Sequence, residues 1–274
     1  MTPKGITPRR VVNHARWRAM QLRKAALNAY YRRAGLELSA RGLRACGVST
    51  SDKHVFGEIF GDEDAYRLDV VVPLMRGGTV VEVGAHKGYF TVLAGSAADR
   101  VVVFEPTERN YEYVLRNVAL NGLTNVTAVQ AAVSDTAGVK PFTLSAVNDA
   151  RHTFFSTRYS GSGTTVEVRC VTLPEALEEH GVEHVDLLKL DCEGSEYDAL
   201  LSCDAPVLAR IDHIVAELHE SRTIPHTRSD LISHLARHGF TAELYDEHVR
   251  GDLRTCMAFF SAQRDRGSGT PRER

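Results

Sequence analysis

The feature that most constrains this chain is a buried strand that ends in glycine and turns at once into a helix. Residues 79–84 (TVVEVG) are a β-branched run interrupted by Glu82, and Ala85-His86-Lys87-Gly88 leads into an apolar helical stretch over 88–98. The alternation then repeats. Residues 101–106 (VVVFEP) read as a strand, and 108–121 as a helix with Val114, Leu115, Val118 and Ala119 facing inward. Further strands are expected at 125–133, 185–191, 213–219, 241–245 and 255–261, with helices from about Ser195 and over 227–239. Strands separated by helices of about ten or more residues imply a mostly parallel sheet covered on both faces, a doubly wound α/β fold. Short β-like segments at 139–146 and 164–172 break the rhythm and read as an insertion near the mouth of the site.

The loop has chemical content. Gly84 permits a tight turn, Gly88 permits close approach of a ligand to the helix start, and free peptide N–H groups face that approach. Glu105 lies 21 positions after Gly84, at the end of the next strand. That spacing suits a carboxylate that accepts both hydroxyl hydrogens of a ribose. A dinucleotide fingerprint needs G-x-G-x-x-G, but here the middle position is His86 and the last Tyr89. Lys87-Gly88 is not followed by Ser or Thr as in a phosphate-binding P-loop. Glu82 two residues before the first glycine, followed by G-A-x-x-G, points to an adenosine-containing cofactor without phosphates.

The blocks VVEVGAHKGYFT, VFEPTERNYEYVLRNVALNG and KLDCEGSEYDALL resemble, in order and spacing, the FkbM family of S-adenosylmethionine-dependent methyltransferases, over about residues 53–261. The resemblance implies a Rossmann-like sheet of seven strands, order 3-2-1-4-5-7-6, with the last strand antiparallel. It implies O-methylation of a hydroxyl on a secondary metabolite, sugar or lipid. It also carries roles onto matched residues: Glu82, Gly84, Ala85, His86 and Gly88 on the methionine and ribose side of S-adenosyl-L-methionine, Glu105 on the ribose hydroxyls with Pro106 beside the adenine, Ala131 and Ala132 at the adenine edge, and Asp191 at the transferred methyl. His86 stands where the family usually has Asn, and Leu173-Pro174 replaces a common Leu-Asp, a change that starts a helix.

Asp191, Glu193 and Glu196 surround Gly194 after the fourth strand, and Glu217 and His219 end the fifth. Ligands of open α/β sheets bind beyond the carboxyl ends of the strands, so this cluster is well placed. Two chemistries fit it. Asp191, Glu217 and His219 would hold Mg2+ or Mn2+ against the acceptor hydroxyl. Without a metal, His219 or a carboxylate such as Glu193 would act as general base beside Asp191. Glu196 is expected to serve the helix start. His180 and His184 fall on a surface turn, and His152, Phe154 and Phe155 either cover the acceptor or pack a lid.

Charge is distributed unevenly. The chain of 274 residues is near neutral overall, yet residues 1–50 carry eleven Lys and Arg against one acid, Glu37. An alanine-rich apolar stripe with arginines on a separate face predicts a helix over 8 to about 38. Three domains are therefore expected: a basic helical extension at 1–50, a methyltransferase domain at 51–262 and a disordered polar tail at 263–274. The extension docks on the acidic domain in the default reading; contact with an anionic membrane surface and a grip on RNA or protein are the alternatives. The few bulky anchors weigh against membrane, and the net charge of −2 does not call for nucleic acid. A non-catalytic adenosine-ligand sensor on the same fold is a further alternative. Five cysteines without a CxxC pair suggest a reducing cytoplasm.

Overall fold

The computed structural model describes residues 36–47, 49–61, 65–145, 150, 152–155, 163–250 and 253–262. A hairpin opens it, β1 (Leu36–Ala40) and β2 (Leu43–Gly47), followed by helices α1 (Thr50–Phe60) and α2 (Leu68–Met75). The glycine loop connects β3 (Thr79–Val83) to α3 (Tyr89–Ala97); β4 (Arg100–Phe104), α4 (Glu108–Leu120) and β5 (Val126–Val129) follow. The insertion comprises β6 (Ala132–Val133), β7 (Gly138–Leu144) and β8 (Thr164–Val171). The chain then runs through α5 (Leu173–Glu179), β9 (Val185–Leu190), α6 (Glu196–Leu201), α7 (Ala205–Leu208), β10 (Ile211–Glu220), α8 (Arg228–Arg237), β11 (Phe240–Arg250) and β12 (Leu253–Ala262).

Seven strands form the central sheet in the order β11-β12-β10-β9-β3-β4-β5. Counting only these strands along the chain and starting from the β5 edge, that is 3-2-1-4-5-7-6. β3, β4, β5, β9 and β10 pair in parallel, and β12 runs antiparallel to both its neighbours. Alternate side chains feed two cores, as the two-residue period of a strand dictates. Val81, Val102, Leu188 and Ile214 pack against α5, α6, α7 and α8; Val80, Val101, Leu187 and Val215 pack against α1, α2 and α3. β6, β7 and β8 form a separate three-stranded sheet. Thr172 caps α5 reciprocally with Glu175, with Pro174 in its first turn, so the Leu-Pro departure starts a helix as expected.

Three expectations need correction. The predicted N-terminal helix cannot reach residue 38, and the predicted helical extension cannot run unbroken to 50, because Leu36–Gly47 is a β-hairpin. Leu36-Glu37-Leu38-Ser39 alternates with period two, and Arg41 and Gly42 both adopt left-handed φ, as a two-residue hairpin turn requires. Leu38 and Ala45 enter the same core as α1 and α3, so the hairpin belongs to the main body rather than to an appendage. The inward face of α4 also differs. Leu115 and Ala119 are exposed, while Asn110, Val114 and Asn117 are buried. Asn117 and Asn121 dock the hairpin: the Asn117 side chain accepts from Cys46 N at 2.7 Å and donates to Lys87 O at 2.7 Å, and Asn121 accepts from Arg44 N at 2.9 Å. The rest of the predicted N-terminal helix and the predicted tail at 263–274 lie outside the described residues. No helix among the described residues is long and apolar enough to cross a membrane.

Candidate active site

The carboxyl ends of β3, β4, β5 and β9 are knitted into one rim. Gly84 N and Ala85 N donate to Phe104 O, Glu105 N to Val129 O, and Asp191 N to Val83 O. A Cβ on Gly84 would stand 1.9 Å from Asp191 O, and its φ of +80° disfavours any side chain, so glycine lets two strand tips meet. Gly88, also left-handed, begins α3, and a Cβ there would lie 3.1 Å from Val114 Cα. The chain that crowds Gly88 is α4. The close approach expected of a ligand there is one of helix to helix.

Above this rim lies a cavity of about 490 Å³. Of the residues assigned to the cofactor, Gly84, His86, Glu105, Pro106, Ala131, Ala132 and Asp191 line it. Glu82, Ala85 and Gly88 do not; they are the scaffold below. Glu82 is fully buried, accepting from Thr91 Oγ1 at 2.6 Å with Lys189 Nζ at 3.7 Å.

Glu105 is the best-defined group. One carboxylate oxygen accepts from His86 N at 2.9 Å; the other accepts from Thr107 N at 3.0 Å and Thr107 Oγ1 at 2.6 Å. Burial pushes its carboxyl up to about 7, against the pull of those hydrogen bonds.

At the tip of β9, Asp191 accepts from the Tyr66 hydroxyl at 3.0 Å and lies 3.6 Å from Lys189 Nζ. Burial acts to raise the Asp191 carboxyl, but Lys189, His219 and the Tyr66 bond overcome it and hold the carboxyl below its usual range. Lys189 is almost wholly buried and donates to Gly84 O at 2.7 Å; burial acts to lower it, but Asp191 and Glu82 keep it above its ordinary value. Burial and then Asp191 raise the Tyr66 hydroxyl, so it stays protonated and donates.

His219 is the hub of the acidic cluster. Its Nδ1 lies 3.1 Å from Glu196 Oε1, and its Nε2 lies 3.8 Å from Glu193 Oε2 and 3.9 Å from Glu217 Oε1. Burial opposes its charge, but Glu196 and Glu193 outweigh burial and raise it well above its ordinary value. In its protonated form the ring donates to these carboxylates, and in its neutral form it is the base expected from the sequence. Burial, then Asp191, raises Glu217 instead. Glu196, fully buried, accepts from Cys192 N at 2.7 Å and Gly194 N at 2.9 Å, so it holds the loop as well as His219. Glu193 and His86 both line the cavity with left-handed φ, 52° and 53°. Strain of about 1–3 kcal/mol at such residues concentrates at functional sites. The ligand atoms of Asp191, Glu196 and His219 lie within 4.8 Å of one another, a different trio from the expected Asp191, Glu217 and His219.

The insertion enters from the Ala131–Ala132 side. Phe142, His152 and Phe154 line the cavity, and Thr153 Oγ1 reaches across to Glu193 O at 2.7 Å. Phe155 instead packs into the core beside Ile224 and Gly194. His180 caps the end of α5, and His184 pairs with Asp212 at 2.9 Å, both away from the cavity. Sequence reasoning missed Tyr66, Lys189 and the wall formed by α1, β11 and β12.

A carboxylate beyond the second strand, a glycine turn beyond the first, and an open sheet with one antiparallel strand make this a doubly wound α/β protein with its ligand cavity at the strand tips. The family follows from the sequence: the Methyltransferase FkbM domain matches residues 82–242, and the chain belongs to the FkbM methyltransferase family. Among characterised relatives, AMB antimetabolite synthetase AmbE of Pseudomonas aeruginosa is 28% identical over 245 residues, 74% of this chain and 11% of that protein. Methyltransferase sdnD of Sordaria araneosa is 28% identical over 171 residues, 52% of this chain and 66% of its own. The 31-O-demethyl-FK506 methyltransferase FkbM of Streptomyces tacrolimicus is 27% identical over 216 residues, 68% and 81% of the two chains. The chain thus spans about a tenth of the first relative and about two thirds of the second.

Proposed function

We propose that this methyltransferase transfers the methyl of S-adenosyl-L-methionine to a hydroxyl oxygen of a small molecule, sugar or lipid. The observation that carries the reading is Glu105, a buried carboxylate held by three N–H and O–H donors at the edge of the cavity, where it can take a ribose diol. Pro106, Ala131 and Ala132 offer a flat apolar edge for adenine. Asp191, kept ionised by Lys189 and Tyr66, stands where a positive sulfonium gains most from a fixed negative charge.

The donor supplies an electrophilic methyl with a good leaving group, so orientation carries much of the rate. The acceptor oxygen forms its bond to the methyl carbon as the carbon–sulfur bond breaks with its electron pair to sulfur. The hydroxyl proton passes to a carboxylate. Glu217 is the acceptor of choice, because its raised affinity for a proton matches the task, and Glu193 is the alternative at 3.8 Å from the same His219. His219 positions both.

The metal reading, Mg2+ or Mn2+ on Asp191, Glu217 and His219, is the weaker one. Asp191 is already held by Tyr66 and Lys189, and His219 by three carboxylates. We expect turnover to be unchanged in EDTA; loss restored by Mg2+ or Mn2+ would establish the metal instead. All five cysteines are free thiols, which supports a cytoplasmic setting. The test is mass-spectrometric detection of a methyl ether after incubation with labelled donor and an extract of hydroxylated metabolites. Donor consumption with label on nitrogen or carbon, and none on oxygen, would overturn O-methylation.

A further inference from the structure

The cavity extends beyond the donor residues. Its far wall comes from segments outside the family-matched residues 82–242: Glu58 and Tyr66 on the N-terminal side, and Asp246, His248, Thr255 and Met257 on the C-terminal side. Glu217 joins them from β10, paired across the sheet with Met257. These side chains line the solvent-facing end of the same cavity, with Glu58 half-buried and Asp246 exposed, where a molecule that reacts with the donor can reach them.

Carboxylates predominate there. Glu58, Asp246, Glu193 and Glu217 reach this end from four separate parts of the chain, the basic groups beside them are histidines, with His219 near Glu193 and Glu217, and no Lys or Arg among the described residues lines the cavity. Glu58 and Asp246 each lie 3.1 Å from a histidine ring nitrogen, His54 and His248. Asp246 sits at an irregularity between Tyr245 and His248 where β11 slips against β12, with φ at 54°. Such a bulge re-aims a side chain that regular pairing would direct elsewhere. Burying a phosphate or carboxylate among these groups would cost like-charge repulsion, whereas an ammonium would find charge-assisted acceptors.

Building on the methyltransferase reading above, we propose that the acceptor carries a free amine: an amino sugar or amino alcohol whose ammonium binds Glu58 and Asp246 while its hydroxyl faces Glu217. The ammonium keeps the amine from attacking the donor, so the methyl goes to oxygen.

The test uses the full chain with labelled donor and a polar metabolite extract, half of it N-acetylated in aqueous bicarbonate beforehand. Unreacted donor, itself a cation, is identified by its mass and by an enzyme-free control, and the remaining labelled products are separated on a strong cation exchanger. Label should be retained with the cations and should fall about tenfold or more in the acetylated half, as loss of a charged hydrogen bond implies. Glu58→Gln with Asp246→Asn should raise the acceptor KM by a similar factor and leave affinity for S-adenosylhomocysteine unchanged. Label in the neutral or anionic fraction, or incorporation indifferent to acetylation, would overturn the inference. So would absence of retained label while calorimetry shows the homocysteine product binding. Failure of that product to bind would instead remove the donor reading itself.

Discussion

The donor end of the cavity and its acceptor end are built by different means. The donor end is backbone: four strand tips tied by main-chain hydrogen bonds, one glycine in contact with Asp191 O, and one carboxylate fixed by neighbours within two residues or one loop. The acceptor end is side chain: α1, the segment at Tyr66 and the β11–β12 pair meet there from opposite ends of the chain. The first can be shared by a family and read from local spacing. The second depends on how distant segments dock, so it varies without disturbing the first.

Gly84→Ala strikes the backbone construction directly. A methyl 1.9 Å from Asp191 O at a φ of +80° should cost about 3 kcal/mol or more, read as a large fall in Tm. An unchanged Tm would mean that the strand tips are not in contact. Lys87→Met tests how the acceptor end is anchored to the donor end. Lys87 Nζ lies 2.5 Å from Asp52 Oδ1, both fully buried, joining α1 to the glycine loop. Removing one partner of such a pair costs about 3–5 kcal/mol, and replacing both with apolar residues recovers much of it. Urea titration of Lys87→Met and of the double variant Asp52→Leu/Lys87→Met should show that order.

A smaller effect separates the ends by pH. On the proposed reading Glu105 binds the ribose diol in its ionised form, and burial pushes its carboxyl up to about 7. Donor affinity should hold steady above pH 7 and weaken toward about tenfold per unit below it. The ligand-free fold has the opposite sign: a carboxyl raised from its unfolded value contributes stability that is fully present at low pH and lost as pH rises through 7. Calorimetry over about three pH units, from about 5.5 to about 8.5, resolves both trends. Tyr66→Phe should be the mildest change. It removes the 3.0 Å bond to Asp191 and should lower kcat/KM about five- to tenfold with little loss of fold.

The sequence made the donor end legible because its signals are local. The strand, the glycines and Glu105 fall within a span of 27 residues, from Thr79 to Glu105. Lys189 left a signal that went unused: a lysine inside the apolar run VDLLKL, central in the sheet, must find buried anions, and it finds Asp191 and Glu82. The hairpin at 36–47 was legible in its two-residue alternation but was absorbed into the preceding alanine-rich stretch. The Asn110–Asn117 stripe was not legible, because asparagine on a helix ordinarily marks the solvent side. Here the Asn117 amide bonds the backbone of β2 and the glycine loop, and the Asn110 side chain bonds Glu105. Tyr66, Glu58 and Asp246 carry no motif; only the docking of α1, the Tyr66 segment and the β11–β12 pair onto the sheet brings them to one cavity.

The central claim is that Glu105 grips the sugar of a sulfonium nucleoside. Titration of S-adenosylmethionine and S-adenosylhomocysteine into the wild type and Glu105→Ala at pH 8 measures it directly. The account predicts saturable binding of both by the wild type and affinity weakened about thirtyfold or more in the variant, the loss of two hydrogen bonds to a charged acceptor. Equal affinity in the two proteins, or no binding by either, would contradict it.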